Sequence, residues 1–142
     1  MPAALYALRL SMKHVLFLTS IVFSAPLITC ERFEIPIELH NEYGIKPTED
    51  RQASYEVRAP IEYKGWKISG AAYESGRSVL PLAMARDYEN NPNIGLFFVR
   101  LTKNLAEKGK IIVSYTPIPE SNENGEVTVA PCLHTQEISF GI

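Results

Sequence analysis

The sequence has few of the residues from which catalytic and metal sites are built. Its 142 residues include three histidines and two cysteines. It has no glycine-rich phosphate loop, no paired-cysteine motif and no calcium-binding loop. Serines are present, but none lies in a nucleophile-elbow pattern, and only His40 and His134 follow the N-terminal segment as candidate bases. We therefore expect no enzymatic activity, no cofactor and no metal.

Two weaker patterns for site chemistry have simpler explanations. Cys132 and His134 are separated by one residue and His40 is a third potential ligand, but a closed zinc site needs four ligands at characteristic spacings. Glu34 and Glu38 lie on one side of a predicted strand, where paired carboxylates can serve acid and base catalysis. Charge on an exposed strand also guards it against edge aggregation, which explains the same two residues. We assign these residues to strands and surface.

Basic residues are too few for a nucleic-acid partner. Of the fourteen lysines and arginines, Arg9 and Lys13 precede Cys30, whereas all sixteen acidic residues follow it. The chain from Cys30 onward therefore has twelve basic and sixteen acidic residues, a net charge of −4. Phosphate binding needs a basic surface. The charge thus excludes nucleic acid and favours a basic protein or a basic patch as the partner.

The N-terminus predicts export. Residues 12–14 provide a cationic lead, and the apolar run over residues 15–27 has the length of a signal-peptide core. It is shorter than the roughly 20 apolar residues of a membrane-spanning helix. We predict a signal segment over residues 1–29 with the true start at Met12, and a protein that is periplasmic, anchored at the outer membrane or secreted. The alternative, one membrane helix over residues 4–29, is disfavoured by charged residues near its middle.

Cys30 and Cys132 have two interpretations. The sequence LITC that ends at Cys30 resembles the lipobox of bacterial lipoproteins, in which the cysteine is acylated, although Thr29 stands where Gly, Ala or Ser is usual. Such a lipid would be the protein's membrane anchor. In an oxidising compartment the two cysteines can instead form a disulfide. Closing a loop of about 100 residues would stabilise the fold by about 4 to 5 kcal/mol in the chain-entropy model.

Residues 30–142 have the pattern of one all-β domain. Apolar and polar residues alternate over residues 33–39 and 55–63, while residues 96–99 are continuously apolar, which predicts a strand covered on both sides. Residues 104–109 predict a single helical turn. We predict a single antiparallel β-sandwich, Ig-like or related, of about seven or eight short strands. Its predicted core comprises Phe33, Ile35, Val57, Trp66, Ile68, Leu96, Phe98, Val99, Ile111, Val113, Ile138 and Phe140.

Aromatic and polar side chains near predicted loops indicate a binding surface. Aromatic rings give large contact area at low entropic cost, and neighbouring amides and guanidinium groups add adaptable hydrogen bonds. Trp66 fits a core position equally well, as large aromatic residues often do. The predicted partner-binding residues are Tyr63, Trp66, Arg86, Tyr88, Asn90 and Asn91.

The organisation, a short acidic β domain behind a lipobox-like signal, resembles that of small bacterial envelope lipoproteins, including inhibitors and immunity proteins. The resemblance implies a non-catalytic protein-binding module and transfers no site residues. One alternative is an assembly subunit of a surface organelle that donates the strand from Phe33 to Leu39 to a neighbour, although Glu31 and Arg32 leave almost no extension before it. A small secreted hydrolase is the second alternative.

Overall fold

The computed structural model describes Cys30, residues 32–129 and residues 131–142. The predicted signal segment and its start at Met12 lie outside the described residues. The described chain forms antiparallel sheets that pack together, which confirms the all-β, sandwich-like fold. No helix in this part of the chain is both long and apolar enough to cross a membrane.

The described residues form eleven strands and one helix. This is more strands than the seven or eight predicted. The number is higher because single alternating runs are divided where the chain passes from one sheet to the other. At Ile61, for example, the amide donates to Asn93 in one sheet and the carbonyl accepts from Ile68 in the other, both at 2.8 Å. The elements are β1 (Glu38–Asn41), β2 (Ala53–Pro60), β3 (Glu62–Tyr63), β4 (Trp66–Ser75), β5 (Ser78–Leu82), β6 (Met84–Asp87), β7 (Asn91–Leu101), α1 (Lys103–Lys108), β8 (Gly109–Pro117), β9 (Glu120–Ser121), β10 (Val127–Thr128) and β11 (His134–Ser139).

Two sheets carry the fold. The first sheet has the order β1-β2-β7-β6, and the second has the order β11-β8-β4-β3, with β5 also pairing with β4. Strands β9 and β10 form a separate two-stranded ribbon. Helix α1 is the single turn predicted from the sequence, and the backbone N–H of Gly109 ends it by donating to the Leu105 carbonyl.

The core lies between the two sheets. Of the predicted core residues, seven are buried and Phe33, Trp66 and Ile138 pack against them partly buried. Residues 96–99 are covered on one side only and not on both as predicted, because the first sheet leaves its outer face open. Phe97 and Val99 are buried, whereas Leu96 and Phe98 lie on the outer side, where Phe98 is 45% exposed. The buried core also contains large residues that the predicted core omits, among them Tyr55, Tyr73, Phe97, Leu101 and Tyr115.

The N-terminal segment follows the predicted alternation without forming one continuous strand. Ile35 is buried, but the ladder with β2 begins only at Glu38. The amide of Ile37 donates to the Ile35 carbonyl at 2.8 Å across Pro36, which is the hydrogen bond of a γ-turn. Proline, which has no N–H to donate, interrupts the strand at this point, and β1 lies at the sheet edge.

Candidate functional site

An open groove lies on the outer face of the first sheet, and we call it the outer groove. Its volume is about 560 Å³. Strands β1, β2 and β7 form its base, and the turn between β6 and β7 forms one wall. Its lining residues are Pro36, Glu38, Glu56, Arg58, Pro60, Asp87, Asn90, Asn91, Ile94 and Leu96.

Strand register brings the charged residues of the outer groove together. Glu38 on β1 pairs with Arg58 on β2, and Arg58 pairs with Leu96 on β7, so the three side chains form one row across the sheet. Pro60 and Ile94 pair in a parallel row. Because side chains alternate along a strand, every second residue of β2 faces the groove.

One guanidinium and three carboxylates line the outer groove, which leaves it with a negative charge. Arg58 donates from Nε to Glu56, whose side chain is only 13% exposed, whereas the Arg58 side chain is 50% exposed. That hydrogen bond, followed by the charges of Glu56, Glu38 and Asp87, raises the pKa of Arg58 above its usual value. The pair with Glu56 is therefore the strongest fixed contact of Arg58.

The turn between β6 and β7 fixes Asp87 at the wall. Its carboxylate accepts from the Asn90 backbone amide at 3.1 Å and from the Asn90 side-chain amide at 2.8 Å. These hydrogen bonds, the side-chain bond first, lower the pKa of Asp87 below its usual value and keep it ionised. Tyr88 is 72% exposed at the tip of the turn. The Arg86 guanidinium carbon lies 6.0 Å from the centre of its ring.

The outer groove is lined by apolar as well as charged side chains. Ile94 and Leu96 contribute from β7, and Pro36 and Pro60 lie at the other side. The exposed ring of Phe98 follows next along the outward side of β7. The groove thus offers apolar contact beside carboxylates and amides.

The structure separates the six predicted partner-binding residues. Asn90 and Asn91 line the outer groove, with Tyr88 on the same turn. Arg86 lines a different depression, together with Ile61, Glu62, Lys67, Pro92 and Asn93. Tyr63 and Trp66 lie on the second sheet, outside the groove lining.

Tyr63 and Trp66 belong to an aromatic cluster that packs against the core. The ring of Phe33 is stacked on His134 at a centroid distance of 4.8 Å, and lies 5.7 Å from Trp66 and 5.9 Å from Tyr63. Both predicted residues are half-buried, so Trp66 occupies the core-like position that the sequence also allowed. In the described residues the His134 Nε2 atom is buried without a hydrogen-bond partner.

Sequence reasoning missed four charged lining residues, namely Glu38, Glu56, Arg58 and Asp87. Glu38 was assigned to ordinary surface, and the others were read as polar positions of strands and loops. The signal that marks Glu56 and Arg58 is the alternation itself, since they point away from the core and alternate with the buried residues Tyr55, Val57 and Ala59. The sequence does not show which strands are neighbours, and this decides which of these charges meet.

Cys30 and Cys132 form a disulfide with a Cα to Cα distance of 5.9 Å. This confirms the disulfide interpretation of the two cysteines. Acylation of Cys30 would use the same sulfur atom that forms the disulfide. The lipid anchor and the disulfide are therefore mutually exclusive. Among the described residues, no group of three or more His, Cys, Asp or Glu side chains is placed to hold a metal ion.

No family model, curated protein or solved structure matches this chain.

Proposed function

We propose that this protein is an exported, non-catalytic binding module that holds a segment of another protein in the outer groove. The observation that carries the proposal is the combination of charged and apolar walls in an open groove of about 560 Å³ on a sheet face. Protein-binding surfaces combine apolar contact with hydrogen-bonding groups at the rim. Here Ile94 and Leu96 provide the contact, while Asn90 and Asn91 provide amides.

The side chains of the outer groove support binding over turnover. The lining contains no cysteine, serine or histidine, so the groups there that could act as a base or nucleophile are the carboxylates of Glu38, Glu56 and Asp87. Arg58 and Glu56 are hydrogen-bonded to each other, and Asp87 is held by Asn90. A carboxylate that is kept ionised by hydrogen bonds is a good acceptor for a ligand and a poor proton donor.

The disulfide supports the proposed export, because structural disulfides persist in oxidising compartments. It links Cys30 to Cys132 across 102 residues. In this proposal the mature protein acts in the periplasm or outside the cell.

The N-terminal segment favours this module over an assembly subunit. A donated strand must leave its own domain free to enter a neighbour. Ile35 is 1% exposed in its own core, and its backbone is hydrogen-bonded to Gln136. Donating the strand from Phe33 to Leu39 would therefore open the domain that carries it.

Site-specific photocrosslinking in the producing cells tests the proposal. A photoreactive phenylalanine analogue replaces Tyr88 beside the outer groove, and in a matched variant it replaces Tyr43, which is 70% exposed outside the groove lining. We expect a defined covalent adduct with one protein from position 88 and none from position 43, identified by mass spectrometry. Equal adducts from both positions, or none from position 88, would contradict binding at the groove.

A further inference from the structure

We infer, building on the proposed function, that the outer groove binds an extended segment through one arginine or lysine side chain flanked by apolar residues. In this arrangement Arg58 is the chain's own cation at the site, and the incoming cation competes with it for the surrounding carboxylates. In this arrangement Arg58 weakens ligand binding, which is the opposite of the usual role of an arginine in a binding site.

The charge distribution carries the first step. In the part of the chain that the structure describes, no lysine or arginine forms an ion pair with Glu38 or Asp87. The Glu38 carboxylate contacts Nε2 of His40 at 2.9 Å, and Asp87 has no ion-pair partner. Both carboxylates line the outer groove with Glu56. Arg58 offsets one of these three charges, so the groove is complementary to a further cation.

The apolar walls carry the second step. Lysine and arginine stems are aliphatic and pack along apolar surface while the charged head stays at polar groups. Leu96 lies in the same cross-strand row as Glu38 and Arg58, and Ile94 lies one row away. A side chain that crosses Leu96 toward the carboxylates therefore has apolar contact for its stem and ionised acceptors for its head.

The exposure of the Arg58–Glu56 pair carries the third step. Half of the Arg58 side chain is exposed, whereas Glu56 is almost covered. A bound cation can take the place of Arg58 at Glu56 and displace the Arg58 side chain into solvent, while the nearly covered Glu56 carboxylate stays in place. An incoming guanidinium can pair with this carboxylate in the same hydrogen-bond geometry.

The test is a titration of the intact domain with blocked pentapeptides of sequence Thr-Val-X-Val-Thr, followed by NMR amide shifts. X is arginine, lysine, glutamate or citrulline, which is a neutral isostere of arginine. We expect the arginine and lysine peptides to shift amides on β1, β2 and β7, and the citrulline peptide to bind about tenfold more weakly. Equal binding of the arginine and citrulline peptides would overturn the inference.

Substitutions give the decisive comparison. Arg58→Met should tighten binding of the arginine peptide by about tenfold, whereas Glu38→Gln should weaken it by about threefold to tenfold. Glu120→Gln, which removes a carboxylate outside the groove, is the matched control and should change nothing. Arg58→Lys keeps the competing charge and should bind as the native protein does, which separates the charge from any effect of Arg58→Met on folding.

Two results separate this inference from the proposed function. If Arg58→Met weakens binding or leaves it unchanged while position 88 still crosslinks to a partner, the competing role of Arg58 is wrong and the groove remains the binding site. If free arginine amide binds as tightly as the arginine peptide, the occupant is a small amine and not an extended segment. If position 88 gives no crosslink and the arginine peptide does not bind either, both the inference and the proposed function are wrong.

Discussion

Gln136 on β11 hydrogen-bonds both backbone polar groups of Ile35. Its Nε2 donates to the Ile35 carbonyl at 2.8 Å, and its Oε1 accepts from the Ile35 amide at 2.9 Å. The side-chain amide thereby acts as a neighbouring strand would, across a sequence separation of 101 residues. This contact joins the N-terminal segment to the second sheet shortly before the chain enters the first sheet as β1.

Replacing Gln136 with alanine should lower the free energy of unfolding by about 2 to 3 kcal/mol. The variant loses two hydrogen bonds and leaves the backbone groups of buried Ile35 without these partners. Urea denaturation measures the change, with Thr135→Ala as the control because Thr135 is exposed on the same strand. Equal urea midpoints for the two variants would show that the Gln136 hydrogen bonds do not stabilise the N-terminal segment.

The disulfide should contribute more than any single side-chain contact of this segment. Replacing both Cys30 and Cys132 with serine should lower the free energy of unfolding by about 4 to 5 kcal/mol, since the disulfide closes a long loop in the unfolded chain. The same loss should follow when a reductant is added to the native protein. A loss below about 1 kcal/mol in both experiments would contradict the entropic role.

The sequence predicted the two-residue period of the strands because alternation records one buried face directly. It placed Val57, Ile111 and Val113 in the core correctly. It failed at Phe98 because an unbroken apolar run gives no alternation, and the side that faces solvent depends on whether another layer covers the sheet. The fold class therefore followed from the sequence alone.

The outer groove was less predictable. Glu38, Arg58 and Asp87 are far apart in the sequence, and antiparallel pairing brings them to one sheet face. Asn90 and Asn91 were predicted from loop composition, which identifies exposed turns but not which residues lie opposite them. Trp66 was predicted both as a core residue and as a binding residue, and it packs partly buried against the core.

Gly109 should tolerate no side chain. A Cβ atom added there would lie 2.3 Å from the ring of Tyr73, which is buried and donates from its hydroxyl to the Leu105 carbonyl at 2.6 Å. Gly109→Ala should therefore cost about 2 to 3 kcal/mol of folding free energy. Gly70→Ala is the matched control, because nothing lies within 4 Å of its added Cβ. Similar unfolding temperatures for the two variants would contradict this packing.

Tyr115 should make the fold sensitive to alkali. Its hydroxyl donates to the Pro60 carbonyl at 2.8 Å, and burial raises its pKa above the usual 10.0. The folded state then holds this proton at a pH where the unfolded chain releases it, so stability is complete below pH 10 and falls as the pH rises further.

The Tyr115→Phe variant tests this dependence. It should be less stable than the native protein at neutral pH by about 1 kcal/mol, because the Pro60 carbonyl loses its donor. Above pH 10 its stability should fall less steeply, by about 1 kcal/mol per pH unit, because one buried ionisation is absent. The remaining slope is expected from Tyr55, whose pKa burial also raises. Parallel curves of unfolding free energy against pH would contradict the role of Tyr115.

Tyr88→Ala should weaken partner binding without changing stability. Tyr88 is exposed at the tip of the turn that holds Asp87 and Asn90, so its removal takes contact area from the rim and leaves the core unchanged. Crosslinking from a photoreactive residue at position 91 should fall severalfold in this variant, with the thermal midpoint unchanged. Tyr43→Ala removes an equally exposed tyrosine outside the groove lining and should leave the crosslink intact. If Tyr88→Ala unfolds the domain, or if Tyr43→Ala weakens the crosslink as much, the partner does not bind at this turn.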